Sequence, residues 1–151
     1  MLSNGVHNVS DIDNEVRRAM DAYQAAVLAK NADKFMHLYD PAVRVYDTWG
    51  TWSYEGAGPW RVAVEGWFSS LRDERVKVTF DDVKIVGAQG FASMSAIVTY
   101  AGMSAEGQAL RAMQNRISWV LRTSGHVLRI IHEHTSAPIG FEDAKAMLQR
   151  P

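Results

Sequence analysis

The groups with the most chemical potential lie in the last third of the chain. There Arg116-Ile-Ser118-Trp119-Val-Leu-Arg-Thr-Ser-Gly125 is followed by Arg129-Ile-Ile-His132-Glu133-His134-Thr-Ser136-Ala-Pro138. Ionisable side chains set among apolar ones must be paired or used, because an unpartnered buried charge is costly. Read as two strands of a hairpin, the segments divide into alternating sets, since successive side chains point to opposite faces. Met113, Asn115, Ile117 and Trp119 oppose Gln114, Arg116, Ser118 and Val120, while Ile131, Glu133 and Thr135 oppose Ile130, His132, His134 and Ser136. Glu133 therefore cannot share a face with its neighbouring histidines unless a bulge intervenes. His132 and His134 would project from one strand face, as a chelating pair must, but no third ligand stands at a recognisable spacing and no metal is expected. The chain also lacks a G-x-S-x-G turn, which argues against a serine nucleophile of that type.

Earlier in the chain, Tyr23 falls on the helical stripe of Ile12, Val16, Ala19, Met20 and Val27, so its hydroxyl needs a partner in apolar surroundings. Asp47 stands in Tyr46-Asp47-Thr-Trp49-Gly50, where an Asx-turn and a chemical role are both open. Trp49, Trp52, Tyr54, Trp60 and Trp67 could wall a pocket for a flat apolar ligand or fill a core, with Trp49 and Trp67 the expected pocket lining.

These groups need elements to hold them. Asp11 and Asp13 can cap a first helix, and Asn31-Ala-Asp33 opens a shorter one carrying Phe35, Leu38 and Tyr39 that ends at Asp40-Pro41. Val43 and Val45 read as a short strand, Trp52 to Pro59 as a loop, and Trp60, Val64, Trp67, Phe68 and Leu71 as the apolar face of a third helix. Beyond Asp73 the period changes to two. A strand through Val76, Val78 and Phe80, resuming at Val83, precedes three long strands near residues 91–101, 108–122 and 127–137, punctuated by glycines. Residues 140–150 read as a terminal helix or a frayed end, and residues 1–10 as a disordered segment. Three helices followed by four long antiparallel strands predict an α+β layer fold in one domain.

Composition narrows the partners. The chain has 151 residues, 16 Lys and Arg against 17 Asp and Glu, and no cysteine. Without a basic patch, nucleic acid and anionic membrane surfaces are not expected partners. Without a signal-like start or an apolar run near the ~20 residues that span a bilayer, a cytoplasmic protein is expected. Disulfides and thiolate chemistry are excluded. A rather apolar second sheet face makes a homodimer through it an expectation.

The order of elements, the Asp47-Thr-Trp49-Gly50 turn, the Trp67-Phe68 helix and the His132-Glu-His134-Thr-Ser136-Ala-Pro138 ending resemble the NTF2-like superfamily over residues 11–138. Within it the chain is similar to the SnoaL-like, ketosteroid-isomerase-related proteins. The resemblance implies a cystatin-like cone, with three N-terminal helices packed on a strongly curved antiparallel sheet around a cavity for a small hydrophobic molecule. Met20-Asp-Ala-Tyr23, Leu38-Tyr39 and Val45-Tyr46-Asp47-Thr-Trp49-Gly50 follow the isomerase segment in order and separation. On that match Asp47 takes the place of the proton-shuttling carboxylate and Tyr23 that of the oxyanion donor, logic that the isomerase itself exemplifies. The second oxyanion donor would fall near Ile117, which cannot donate, so lyase, cyclase or other proton-transfer chemistry is implied ahead of steroid isomerisation. The isomerase-like register turns Met113, Asn115, Trp119 and Glu133 toward the cavity, beside Tyr39, Trp49, Tyr54 and Trp67. It sends Arg116, His132 and His134 to the outer face, to satisfy each other or a second chain. No cofactor is implied. The superfamily also contains noncatalytic ligand-binding and oligomeric association domains, the alternative reading.

Overall fold

The structure is a computed structural model that describes residues 9–151. Most of the expected N-terminal disordered segment lies outside the described residues, and α1 (Val9–Ala29) already begins at Val9. Its stripe of Ile12, Val16, Met20, Tyr23, Ala26 and Val27 is buried, and the helix lies against β3 (Arg75–Ala88). Gln24 Nε2 donates to the Val78 carbonyl at 2.9 Å, tying helix to strand by a polar contact as well.

A short α2 (Ala32–Met36) follows, capped by the Asn31 side chain, which accepts from Lys34 N at 3.0 Å. The expected continuation of this helix through Leu38 and Tyr39 does not occur. Pro41 forces the residue before it into extended backbone, and β1 (Tyr39–Tyr46) starts two residues upstream of the proline. The ladder to the neighbouring strand shifts register between Tyr39 and Arg44, which accommodates a proline without an N–H. The expected loop contains a two-residue β2 (Tyr54–Glu55), and α3 (Ala57–Ser70) carries Pro59 in its first turn.

β3, β4 (Phe91–Met103), β5 (Ala109–Ser124) and β6 (Val127–Ser136) form the expected antiparallel meander. The sheet as a whole is mixed, however: the order is β2-β1-β6-β5-β4-β3, and β1 pairs with β6 in parallel. The all-antiparallel expectation is corrected on that point, because a strand separated from its neighbour by some 80 residues leaves no hairpin signal in the sequence. Asp82, at φ 54°, sits in a bulge between Asp81 and Lys84, where two residues, Asp82 and Val83, oppose one of β4, Ala96. Such bulges bend a sheet and raise its twist. Gly125, at φ 65°, occupies a left-handed position in the β5–β6 turn that a β-carbon would strain.

The C-terminal stretch is neither helix nor frayed end. Gln114 N donates to the Leu148 carbonyl at 2.8 Å, Arg150 N to Gln114 Oε1 at 2.7 Å, and Ile139 bridges Ala146, so the segment returns along β5. Among the described residues no helix is long and apolar enough to cross a membrane.

Candidate active site

Strand parity sets the site. On β5 Asn115, Ile117, Trp119 and Leu121 are buried while Arg116, Ser118 and Val120 face outward. On β6 a bulge intervenes: Leu121 pairs with Ile130 and Val120 with His132, so Ile131 is the extra residue. It lets Ile130 point inward upstream of the bulge, while Glu133 and Thr135 point inward downstream of it. Ile131 therefore does not extend the inward set, and Ile130 does.

Glu133 lies directly opposite Trp119 and is 1% exposed. One carboxylate oxygen, Oε1, accepts from Tyr39 Oη at 2.7 Å and from Trp119 Nε1 at 2.8 Å. The second, Oε2, accepts no hydrogen bond among the described residues. Burial drives the Glu133 pKa up to about 7, against the lowering effect of the Tyr39 and Trp119 donors; the nearby Asp47 charge raises it further. Tyr39 and Trp119 do not themselves line the cavity, as the resemblance had implied. They stand behind Glu133 and fix its orientation, and burial followed by the Glu133 charge pushes the Tyr39 hydroxyl well above its ordinary range.

Asp47 follows the end of β1, next to the inward Thr135. Thr48 donates to Thr135 Oγ1 from its backbone N at 2.9 Å and its hydroxyl at 3.1 Å, and Thr135 Oγ1 donates in turn to Asp47 Oδ1 at 3.0 Å. Trp49 N reaches Asp47 Oδ2 at 3.4 Å, an Asx-type contact. Asp47 thus closes a turn and also borders the cavity. Burial raises its pKa, while Thr135 and the Trp49 and Thr48 amides pull it down.

Tyr23 does not turn its hydroxyl to Asp47. It is bonded to Tyr100 Oη at 2.7 Å, and burial raises both phenols, so both are neutral at physiological pH. Two hydroxyls share one hydrogen bond and neither makes another with a described residue, which leaves the pair one O–H to donate.

These groups converge on a cavity of about 590 Å³, within the range of small-molecule sites. Tyr23, Asp47, Tyr100 and Glu133 supply its polar groups, and Trp49, Tyr54, Trp60, Trp67 and Met113 much of its apolar wall. Arg111, paired with Glu74 at 2.6 Å, and Gly102 also border it. Asn115 borders it too, 5% exposed, and its carboxamide bonds to no described residue. A buried polar group left so costs about 1–3 kcal/mol. A second cavity of about 730 Å³, toward the outer side of the loop, shares Asp47, Trp49, Gly50 and Thr135 with the first, so these residues form the partition between them.

Arg116, His132 and His134 lie outside; the two imidazoles meet edge to face at 6.5 Å, and the hydrogen bonds of His132 and Arg116 go elsewhere. Arg116 Nε donates to Ser136 Oγ at 3.2 Å, and His132 Nδ1 pairs with the Arg44 carbonyl at 2.9 Å. Both imidazoles meet the Tyr46 ring edge to face, at 5.1 and 5.6 Å. Among the described residues no three His, Asp or Glu side chains are placed to hold a metal. Tyr100 and Thr135 were missed as site residues, although the period-two run of Met94, Ala96 and Val98 points to Tyr100, and the parity of Glu133 points to Thr135.

The family profile of the SnoaL-like domain matches residues 16–140. The chain belongs to this family. No curated protein matches it in sequence. Its fold is similar to that of an NTF2-like protein of unknown function from Pseudomonas putida KT2440, at 17% identity and TM-score 0.82, covering 94% of this chain and 98% of that one. It is similar to ActVI-ORFA from Streptomyces coelicolor at 11% identity and TM-score 0.73, with 83% and 96% covered. A protein with a cystatin-like fold from Nostoc punctiforme PCC 73102 shares 13% identity, TM-score 0.69, with 85% and 92% covered. At these identities the likeness establishes the NTF2-like, cystatin-like fold of this SnoaL-like chain, and the chemistry has to be argued from the cavity.

Proposed function

We infer that the chain is an enzyme of proton transfer on a hydrophobic carbonyl or hydroxyl compound, working through its own side chains without a cofactor. The observation that carries this reading is Glu133: buried, held on one oxygen by Tyr39 and Trp119, with the other oxygen unbonded and a pKa of about 7. A carboxylate so tuned is a stronger base than a solvated one and still gives its proton back near neutrality. In the proposed step Glu133 takes a proton from the carbon beside a carbonyl. The electron pair moves onto the carbonyl oxygen, and the free O–H of the Tyr23–Tyr100 pair stabilises the resulting enolate. Asp47 is the second proton carrier, opposite the Thr135 hydroxyl. Return of the proton at another carbon makes an isomerase, loss of a β-hydroxyl as water makes a dehydratase or lyase, and attack of the enolate on a second carbonyl makes a cyclase.

The test is exchange of the C2 protons of 1-tetralone with deuterium oxide, followed by proton NMR. Wild-type protein is expected to accelerate it, with the rate rising through about pH 7 as Glu133 ionises. Glu133→Gln should lower it at least about 100-fold, and Asp47→Asn by a smaller but clear factor. Unchanged exchange in Glu133→Gln sinks the reading, and unchanged exchange in Asp47→Asn reduces Asp47 to its turn. The assembly proposed with it is a homodimer through the outer sheet face, where Val120 is exposed and Ile97 half-buried. Light scattering at twice the mass of the chain supports this, and a monomer mass removes it.

A further inference from the structure

The Asn115 carboxamide has no role in the proton transfer, and its Oδ1 bonds to no described residue. It is buried on the inward face of β5, directly across from Val98 and two residues from Ile117. Nothing in the fold needs an amide there: its neighbours on that face are apolar, and an aliphatic side chain of the same size would remove an unpaired group. Trp119, opposite Glu133, is four residues further along the same strand, so Asn115 and Glu133 border one cavity from different levels of the sheet. Between the two levels Ile117 faces inward opposite Thr135, while Met113, opposite Tyr100, and Val76 continue an apolar wall beyond Asn115 together with Trp67.

We propose that Asn115 is a substrate-recognition residue, which binds a hydroxyl on the side of a ring-containing ligand remote from the carbonyl held at Glu133 and the tyrosine pair. A hydroxyl both donates and accepts, and a carboxamide offers both counterparts. A ligand lacking that hydroxyl leaves the amide unpaired in the complex, the arrangement by which enzymes discriminate most sharply between analogues. The inference rests on the reading of this cavity as a substrate site, and deepens it by naming two oxygen functions on one apolar body.

The probes are 1-tetralone and 6-hydroxy-1-tetralone, which differ only in a phenol on the ring edge remote from the ketone, with binding followed by calorimetry. Wild-type protein is expected to bind the hydroxylated ketone about tenfold more tightly. In Asn115→Leu that preference disappears while affinity for 1-tetralone stays within about twofold, and Asn115→Ser, which restores a small polar group, recovers part of the preference. Should Asn115→Leu fail to fold, Asn115→Ala reads the same loss. A preference retained in the folded variants overturns the proposal, as does equal or absent binding of the two ketones by the wild type. Deuterium exchange at C2 in the same samples separates this idea from the one beneath it. Discrimination without exchange leaves Asn115 standing and removes the proton-transfer reading, whereas exchange without discrimination does the reverse.

Discussion

The two faces of the β5–β6 hairpin carry similar residue types and put them to different ends. Outside, Arg116, His132 and His134 settle on Ser136, a backbone carbonyl and the Tyr46 ring, within reach of water. Inside, Glu133 is buried between Tyr39 and Trp119, with Asp47 at the neighbouring strand's end beside Thr135 and the Tyr23–Tyr100 pair lining the same cavity. His134 and Glu133 are adjacent in the chain, yet His134 is exposed and Glu133 is buried. The difference comes from pleat geometry: one residue of strand separates a solvated group from a desolvated one, and desolvation is the largest influence on the Glu133 carboxyl.

The largest effect expected from this contrast is on exchange. Where Glu133→Gln should lose at least about 100-fold, His134→Ala on the opposite face should change the 1-tetralone rate by less than about twofold, and a comparable loss in both would erase the distinction between faces. A smaller effect should appear in stability. The folded-state pKa of Glu133 is raised from 4.5 to about 7, so between those values the folded chain holds a proton that the unfolded chain releases. Stability should therefore fall as pH rises across that window, by about 3 kcal/mol in total at 1.36 kcal/mol per unit. Denaturant unfolding at pH 4.5 and 7.5 reads it. Glu133→Gln should lack this component, and a variant that keeps the full slope would assign it to another group.

Much of this contrast was legible in the sequence. Alternation alone separated Glu133, Asn115 and Trp119 from Arg116 and the histidines, and the helical stripe placed Tyr23 inside. What could not be read came from contacts distant in the chain. The parallel pairing of β1 with β6 brings Tyr39 under Glu133 across 94 positions, and reading Asp40-Pro41 as a helix stop instead of a strand start hid that tyrosine's role. The Tyr23–Tyr100 bond spans 77 positions, and each partner had a sufficient explanation as core until the other was seen. The bulge at Ile131 was allowed by the pattern but not located by it, because a single extra residue leaves alternation intact on either side.

The central claim is that the fold holds Glu133 as a base poised near neutrality. The most direct measurement is the pH titration of its side-chain carboxyl carbon by NMR, assigned by its absence in Glu133→Gln. A midpoint near 7 is expected. A midpoint near 4.5 would mean that the carboxyl is solvated, and would contradict it.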